Sequence, residues 1–202
     1  MSTPGPRAEL FERCMSVGGV AVFGADTVYG LACDVHNRLA VERLYDLKRR
    51  SPAKPSAVMF FDVELALAAL TELGPATQGA LARLLPGPVT LLLPNPGARY
   101  PLACGEDQST LGLRVPVVPS LAGVGWPIVQ SSANLAGGPD ARRLSDVPEE
   151  LRREADLVLD EGELPGTPST VIDLRAYEAD RAWSIVRPGG LPEAQVAAAL
   201  ER

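Results

Sequence analysis

The sequence predicts a single α/β domain over residues 1–202, built on a sheet of mixed strand direction. Short apolar runs such as 89–93 and amphipathic stretches such as 7–17 follow one another without the strict alternation of a doubly wound sheet. The length of 202 residues suits one large domain, and 46% hydrophobic residues suffice for a packed core. We find no internal repeat and no linker long enough to divide the chain.

Helices are predicted where apolar residues recur at helical spacing. The first covers 7–17. The second begins after Asn37, a residue type suited to N-capping, and ends at Leu47. Ser145 is a candidate N-cap for the predicted helix 144–155. The other four predicted helices are 64–73, 77–85, 144–155 and 192–200.

Strands are predicted where short apolar runs are bounded by turn-forming residues. The residues between the first strand and Asn37, which include Asp26 and Gly30, are predicted to form a loop. The predicted strands are 20–23, 57–61, 89–93, 111–115, 128–130, 157–159, 170–174 and 183–186.

Composition excludes several classes of protein. A formal net charge of -6 disfavours a surface that coats nucleic acid, although it permits a local basic pocket. The apolar runs are far shorter than the ~18 residues of a membrane span. Glu9 and Glu12 stand where a signal peptide would be apolar. Three widely spaced cysteines favour a reducing cytoplasm over a disulfide framework. The single histidine, His36, excludes histidine-cluster mechanisms.

Lysine occurs at two positions, Lys48 and Lys54, although the chain has 19 basic residues. Either codon bias favours arginine and the two lysines are retained by chance, or both compact ammonium groups have a function. With Arg49 and Arg50 they place four cations within seven residues. Neighbouring prolines hold this segment extended. It is either a solvated helix end or a binding site for a polyphosphate.

Two further loops carry polar groups beside glycine. The segment 25–31 places a carboxylate, a hydroxyl and a phenol next to Gly30. The segment 131–138 follows a buried strand, and its small side chains let backbone amides approach an anion. It is not a Walker A loop, and such strings also occur as ordinary turns. Arg114 and Arg187 lie in or beside strands and require either a structural carboxylate or a ligand.

These segments together resemble the YrdC/Sua5 family of threonylcarbamoyl-adenylate synthases, which act in tRNA modification. The resemblance covers nearly the whole chain, and the similar strings occur in the family's order. They are 26–31, 48–50, 86–90, 113–116, 132–134, 169–171 and 187–189.

The resemblance implies a twisted sheet with flanking helices around a basic concave cavity. It implies that L-threonine, bicarbonate and ATP are joined into threonylcarbamoyl-AMP with release of pyrophosphate, and that Mg²⁺ accompanies the ATP without a resident metal site. The residues implied for threonine are Thr27, Arg114, Ser132 and Ser169. Those implied for ATP are Lys48, Arg50, Lys54, Thr110, Asn134 and Arg187, with Lys48 and Arg50 as the catalytic pair.

Three departures from the family pattern concern amino-acid preference. Gly24 and Ala25 replace the usual Pro-Thr, Ser56 stands where leucine is common after proline, and Met59 replaces a histidine of some members. We expect a separate complex to transfer the threonylcarbamoyl group to tRNA, with weak or absent direct tRNA binding and no membrane association. The alternative function is a non-catalytic nucleotide- or RNA-binding maturation factor.

Overall fold

The protein, represented here by a computed structural model, is described over residues 4–201. Within this range nine strands form one sheet. They are β1 (Ala21–Gly24), β2 (Tyr29–Asp34), β3 (Ala57–Met59), β4 (Val89–Pro94), β5 (Thr110–Arg114), β6 (Ile128–Ser132), β7 (Leu157–Val158), β8 (Thr170–Asp173) and β9 (Ser184–Arg187).

Helices flank this sheet. They are α1 (Pro6–Ser16), α2 (Arg38–Leu47), α3 (Val63–Ala69), α4 (Pro75–Leu84), α5 (Pro101–Cys104), α6 (Glu149–Glu154), α7 (Tyr177–Asp180) and α8 (Glu193–Leu200), with 3₁₀ turns at Pro119–Leu121 and Leu144–Asp146. Among residues 4–201, no helix combines the length and apolarity needed to cross a lipid bilayer.

The sheet has the order β7-β1-β2-β6-β3-β5-β4-β8-β9. Strand pairs β1–β2, β2–β6, β3–β6, β4–β5 and β8–β9 are antiparallel, whereas β1–β7, β3–β5 and β4–β8 are parallel. This mixture confirms the predicted α/β sheet of mixed direction. The short strand β3 lies between β6 and β5, so residues far apart in sequence meet at the centre of the sheet.

The two faces of the sheet bury different clusters. Val58, Leu113 and Val129 point into the larger one, which α2 and α4 cover. On the other face Phe11 of α1 packs edge-on against Phe23, with ring centroids 5.4 Å apart. Side chains alternate along a strand, so Ile128, Gln130 and Ser132 of β6 all lie on this second face. Ile128 packs in the smaller cluster, whereas Gln130 and Ser132 line a cavity.

Several predicted boundaries were wrong. The predicted loop around Gly30 contains the six-residue strand β2, which pairs with both β1 and β6. Its residues are almost all buried, so no alternation of polar and apolar residues marks it as a strand. The predicted helix 144–155 is interrupted by Pro148, which precedes α6 and cannot donate a helical hydrogen bond. Ser145 therefore lies in the 3₁₀ turn and caps no helix.

The helix predicted after Asn37 is confirmed together with its cap. The Asn37 side-chain oxygen accepts a hydrogen bond from the backbone N–H of Ala40 at 3.1 Å. This cap fixes the start of α2, whose last turn leads directly into the cationic segment that begins at Lys48. Sequence analysis did not predict α5 or α7, which are single turns of four residues.

Candidate functional site

A cavity of about 200 Å³ lies on the face that carries Gln130 and Ser132, beside the loops that connect the central strands. Six of the ten site residues predicted from sequence line this cavity. They are Thr27, Arg50, Arg114, Ser132, Ser169 and Arg187. The other four, Lys48, Lys54, Thr110 and Asn134, are not among its lining residues.

Arg114, at the end of β5, is held among polar side chains in the wall of the cavity. Its Nη2 donates to Asp26 Oδ1 at 2.7 Å and to Thr27 Oγ1 at 3.3 Å, and its Nη1 donates to Gln130 Oε1 at 3.2 Å. Arg114 is only 4% exposed, and its Nε is buried without a partner among the described residues. The structural carboxylate that sequence analysis left open is therefore Asp26, and the guanidinium retains a free donor.

Asp26 experiences two opposing effects. Burial raises the pKa of its carboxyl group, and the neighbouring Arg114 guanidinium opposes that rise. Its second oxygen, Oδ2, is buried without a hydrogen-bond partner in the described part of the chain. The pair is a buried ion pair in which each member compensates the charge of the other.

Ser169 and Arg187 form the wall made by β8 and β9. Ser169 Oγ lies 2.8 Å from Thr90 Oγ1, and Arg187 Nη2 donates to the Ser169 carbonyl oxygen at 2.8 Å. The loop after Arg187 approaches this wall closely. A Cβ on Gly189 would lie 2.3 Å from the Pro168 carbonyl oxygen, so only glycine fits there.

The cationic segment after α2 sends its side chains in different directions. Arg49 has a left-handed backbone (φ 52°), and its side chain forms an exposed ion pair with Glu150 at 2.9 Å. Arg50 turns into the cavity, where Nη2 donates to the Pro55 carbonyl oxygen at 2.7 Å and Nε is buried without a partner among residues 4–201. Lys54 is exposed. The hydrogen bond to Pro55 thus helps hold one arginine of this segment in the cavity.

Lys48 is only 1% exposed and lies behind the cavity wall. Its Nζ donates to the carbonyl oxygen of Ser132, to that of Asn134 at 2.7 Å, and to Asn134 Oδ1 at 2.9 Å. Burial, and then the nearby Arg50 cation, lower the pKa of Lys48 to about 8, against the attraction of Asp140. The ammonium group fixes the turn at 132–134, and its predicted contact with ATP stays a prediction.

Asn134 organises the same turn. Its Oδ1 accepts from Ser132 Oγ at 2.8 Å as well as from Lys48, and its Nδ2 donates to the Gly138 carbonyl oxygen at 2.7 Å. The turn therefore presents the Ser132 hydroxyl to the cavity on a rigid support. Among the described lining residues the one carboxylate is Asp140, whose Oδ1 lies 3.5 Å from Asn134 Nδ2.

Thr110 begins β5, four residues before Arg114 on the same face, and this spacing corresponds to about 13 Å along a strand. Arg175 Nη1 donates to its hydroxyl at 3.4 Å. The roles predicted for Thr110, Lys54 and Asn134 in ATP binding stay predictions, because none of the three lines the cavity.

Sequence analysis missed Gln130, Thr90 and Asp140 among the lining residues. A strand signal could have found Gln130. Alternation along β6 places it on the same face as Ser132, which sequence analysis did select. No local pattern marked Asp140, which lies in a loop.

The chain is similar to proteins named threonylcarbamoyl-AMP synthase over most of its length. The threonylcarbamoyl-AMP synthase of Chromohalobacter salexigens is 39% identical over 170 residues, which cover 81% of this chain and 90% of that protein. The synthase of Bacillus subtilis is 32% identical over 209 residues, covering 99% of this chain and 58% of that protein.

Solved structures show the same fold. The structure of P. abyssi Sua5 complexed with L-threonine has a TM-score of 0.83 at 27% identity, and the match covers 95% of this chain and 56% of that one. E. coli YciO has a TM-score of 0.77 at 24% identity, with coverage of 97% and 100%. The YrdC-like α/β fold predicted from sequence, a large twisted sheet with flanking helices, is therefore confirmed.

A family model described as Sua5, yciO and yrdC, "Telomere recombination", matches residues 13–189. This range contains all ten predicted site residues and every residue that lines the cavity. The chain belongs to the Sua5/YciO/YrdC family.

Proposed function

We propose that the protein is a threonylcarbamoyl-AMP synthase, which joins L-threonine, bicarbonate and ATP into threonylcarbamoyl-AMP and pyrophosphate. The observation that carries this proposal is the convergence of Arg50, Arg114 and Arg187 on one cavity in a chain of this family. Relatives at 39% and 32% identity bear the name of this synthase. Guanidinium groups suit both carboxylates and phosphates, the anionic groups of the two larger substrates.

Threonine fits the wall that holds Arg114. A relative has been solved in complex with L-threonine, and Thr27, Arg114, Ser132 and Ser169 line the cavity here. The Arg114 guanidinium, which lines the cavity, is the group we assign to the substrate carboxylate, while the hydroxyl groups of the other three would contact the rest of a small polar ligand. This arrangement supports threonine binding on the side of the cavity nearest to Asp26.

The chemistry needs positioning and charge stabilisation. The threonine amine attacks bicarbonate, giving a carbamate and water. A carbamate oxygen then attacks the α-phosphorus of ATP, and pyrophosphate leaves. Negative charge grows on phosphate oxygens during the second step, and Arg50 and Arg187 are the cavity cations placed to stabilise it. Holding the threonine carbamate and ATP in one cavity would supply the remaining rate enhancement through proximity.

The residues present fit Mg²⁺ that is carried mainly by ATP. Among the described residues no group of three or more His, Cys, Asp or Glu side chains could hold a metal ion. Mg²⁺ keeps several water ligands and binds phosphates readily, so it needs few protein ligands. Asp140 and the hydroxyl of Ser132 are the lining groups that would hold its water shell. Bound in this way, Mg²⁺ would neutralise phosphate charge.

A separate protein complex would transfer the threonylcarbamoyl group to tRNA. The net charge of -6 supports weak or absent direct tRNA binding, because phosphate contacts dominate nucleic-acid affinity. Three free, buried cysteines support a reducing cytoplasm as the location.

The reaction product provides the test. Protein, Mg²⁺-ATP, L-threonine and ¹³C-bicarbonate should yield an adenylate adduct that carries one ¹³C atom, seen by mass spectrometry. Omission of threonine should abolish the adduct. A non-catalytic nucleotide-binding protein, the alternative function, would bind ATP and form no adduct under any of these conditions.

A further inference from the structure

Gln130 is a buried polar residue of the cavity with no role in the chemistry described above. It is 4% exposed, lies in the middle of β6 and lines the cavity. Its Oε1 accepts from Arg114 Nη1 at 3.2 Å. The guanidinium of Arg114 is therefore held on one side by the Asp26 carboxylate and on the other by a neutral amide.

The backbone of β2 makes room for this amide. Gly30 pairs with Ser132, one side-chain step along β6 from Gln130. A Cβ on Gly30 would lie 2.7 Å from Gln130 Nε2, closer than real contacts allow. The absence of a side chain at Gly30 thus leaves room for the glutamine amide, whose oxygen accepts from Arg114.

The charge of the second support matters. Asp26 already compensates one positive charge of Arg114. A second carboxylate 3.2 Å from the guanidinium would add a negative charge beside the substrate's own carboxylate, and like charges at such distances repel strongly in a buried site. A neutral acceptor orients the guanidinium without competing for it.

We propose that Gln130 is a positioning residue that fixes Arg114 for the amino-acid carboxylate and, being neutral, leaves the guanidinium able to bind it. The proposal rests on the proposed function, because it assigns the residue to the threonine half of the same site. It assigns Gln130 no contact with ATP, so substitutions there should affect threonine and ATP unequally.

The test uses two isosteric variants and one control. Gln130→Met keeps length but removes the acceptor, and Gln130→Glu keeps the acceptor but adds a charge. Gln195→Glu makes the same charge change at an exposed position of α8. KM for threonine, KM for ATP and kcat are measured by pyrophosphate release, thermal unfolding is recorded for each variant, and calorimetry measures threonine binding without turnover.

We expect Gln130→Met to raise KM for threonine by about 3- to 10-fold, the scale of one hydrogen bond. Gln130→Glu should raise it by more than ~10-fold because of like-charge repulsion. KM for ATP should stay within ~3-fold, and Gln195→Glu should match the parent. Equal rises in both KM values with a lowered Tm, or an unchanged KM for threonine in Gln130→Met, would overturn the proposal.

If Gln130→Glu does not fold, Gln130→Met decides the question alone. A parent protein that releases no pyrophosphate would refute the proposed function and leave calorimetry to test the positioning. In that case threonine binding by the parent, weakened in Gln130→Met, supports the role of Gln130. Equal threonine affinity of the two proteins, or no threonine binding by either, contradicts it.

Discussion

Lys48 Nζ lies 2.7 Å from the backbone carbonyl oxygen of Asn134 and 2.9 Å from the side-chain oxygen of the same residue. With the Ser132 carbonyl oxygen as a third acceptor, all three N–H donors of the ammonium group are used. In a chain with only one other lysine among its 19 basic residues, Lys48 occupies a site where three oxygens converge on one point. A planar guanidinium does not match that geometry.

Lys48→Arg should therefore disturb the turn at 132–134 although it keeps the charge. We expect turnover to fall by about 10²-fold, the cost of a displacement on the order of 1 Å at a reacting centre. Arg153→Lys is the control, because Arg153 is exposed on α6, and this charge-keeping exchange should turn over like the parent. Pyrophosphate release measures both variants. Parental turnover in Lys48→Arg would refute the role of Lys48 in holding the turn.

The lowered pKa of Lys48 predicts a pH dependence of stability. The fold lowers this pKa to about 8 through burial, from an ordinary value of 10.5. Between these two values the unfolded chain binds more protons at this group than the folded protein does, so its contribution to the free energy of unfolding rises with pH. Below pH 8 both states are protonated, and the full cost of the buried charge remains.

Lys48→Met isolates this contribution. The free energy of unfolding of the parent minus that of Lys48→Met, from urea denaturation between pH 7 and 10, should increase above pH 8. Differences between the two proteins cancel the titration of other groups. A difference that stays constant or decreases over this range would contradict the lowered pKa.

Arg49 and Arg50 are adjacent in sequence, but the Arg49 side chain is exposed, whereas that of Arg50 lines the cavity. Arg50→Ala removes a cavity cation and should lower kcat/KM for ATP by about 10²-fold, the scale of one transition-state contact. Arg49→Ala breaks an exposed ion pair and should change it by less than ~2-fold. Equal effects of the two substitutions would show that Arg50 has no role in the active site.

Asp26→Asn tests the buried ion pair with Arg114. Removal of one partner leaves the other charge buried and uncompensated, so the free energy of unfolding should fall by about 3 kcal/mol. Glu150→Gln is the control, since it breaks an exposed pair and should cost less than about 1 kcal/mol. Urea denaturation near pH 7 compares them. Similar small losses in both variants would show that Arg114 does not depend on Asp26.

The sequence predicted the arginines that line the cavity better than it predicted the residues that hold them in place. Motif strings placed Arg50, Arg114 and Arg187 in one cavity because the family resemblance orders them along the chain. The sequence did not predict Gln130 as a site residue because its role depends on contacts with Gly30 and Arg114. These residues are distant in sequence and reach Gln130 only through the pairing of strands in the sheet. Alternation along β6 places Gln130 on the same face as Ser132, but it does not show that β2 and β5 bring Gly30 and Arg114 to it.

Lys48 shows a related limit. The unusual use of lysine at this position was visible in the sequence, but its three acceptors were not, because two of them are backbone carbonyl oxygens. Backbone groups exist at every residue, and only the folded turn brings these two together. The sequence therefore did not predict that Lys48 supports the turn, and its predicted contact with ATP stays a prediction.

Pyrophosphate release by the purified protein tests the central claim most directly. The assay contains Mg²⁺-ATP and is repeated with threonine omitted, with bicarbonate and dissolved CO₂ removed, and with EDTA added. We predict release that requires threonine, bicarbonate and Mg²⁺ together, and that falls about 10²-fold in Arg50→Ala. Release from ATP that continues without threonine or without bicarbonate, or no release under any condition, would contradict the assignment as a threonylcarbamoyl-AMP synthase.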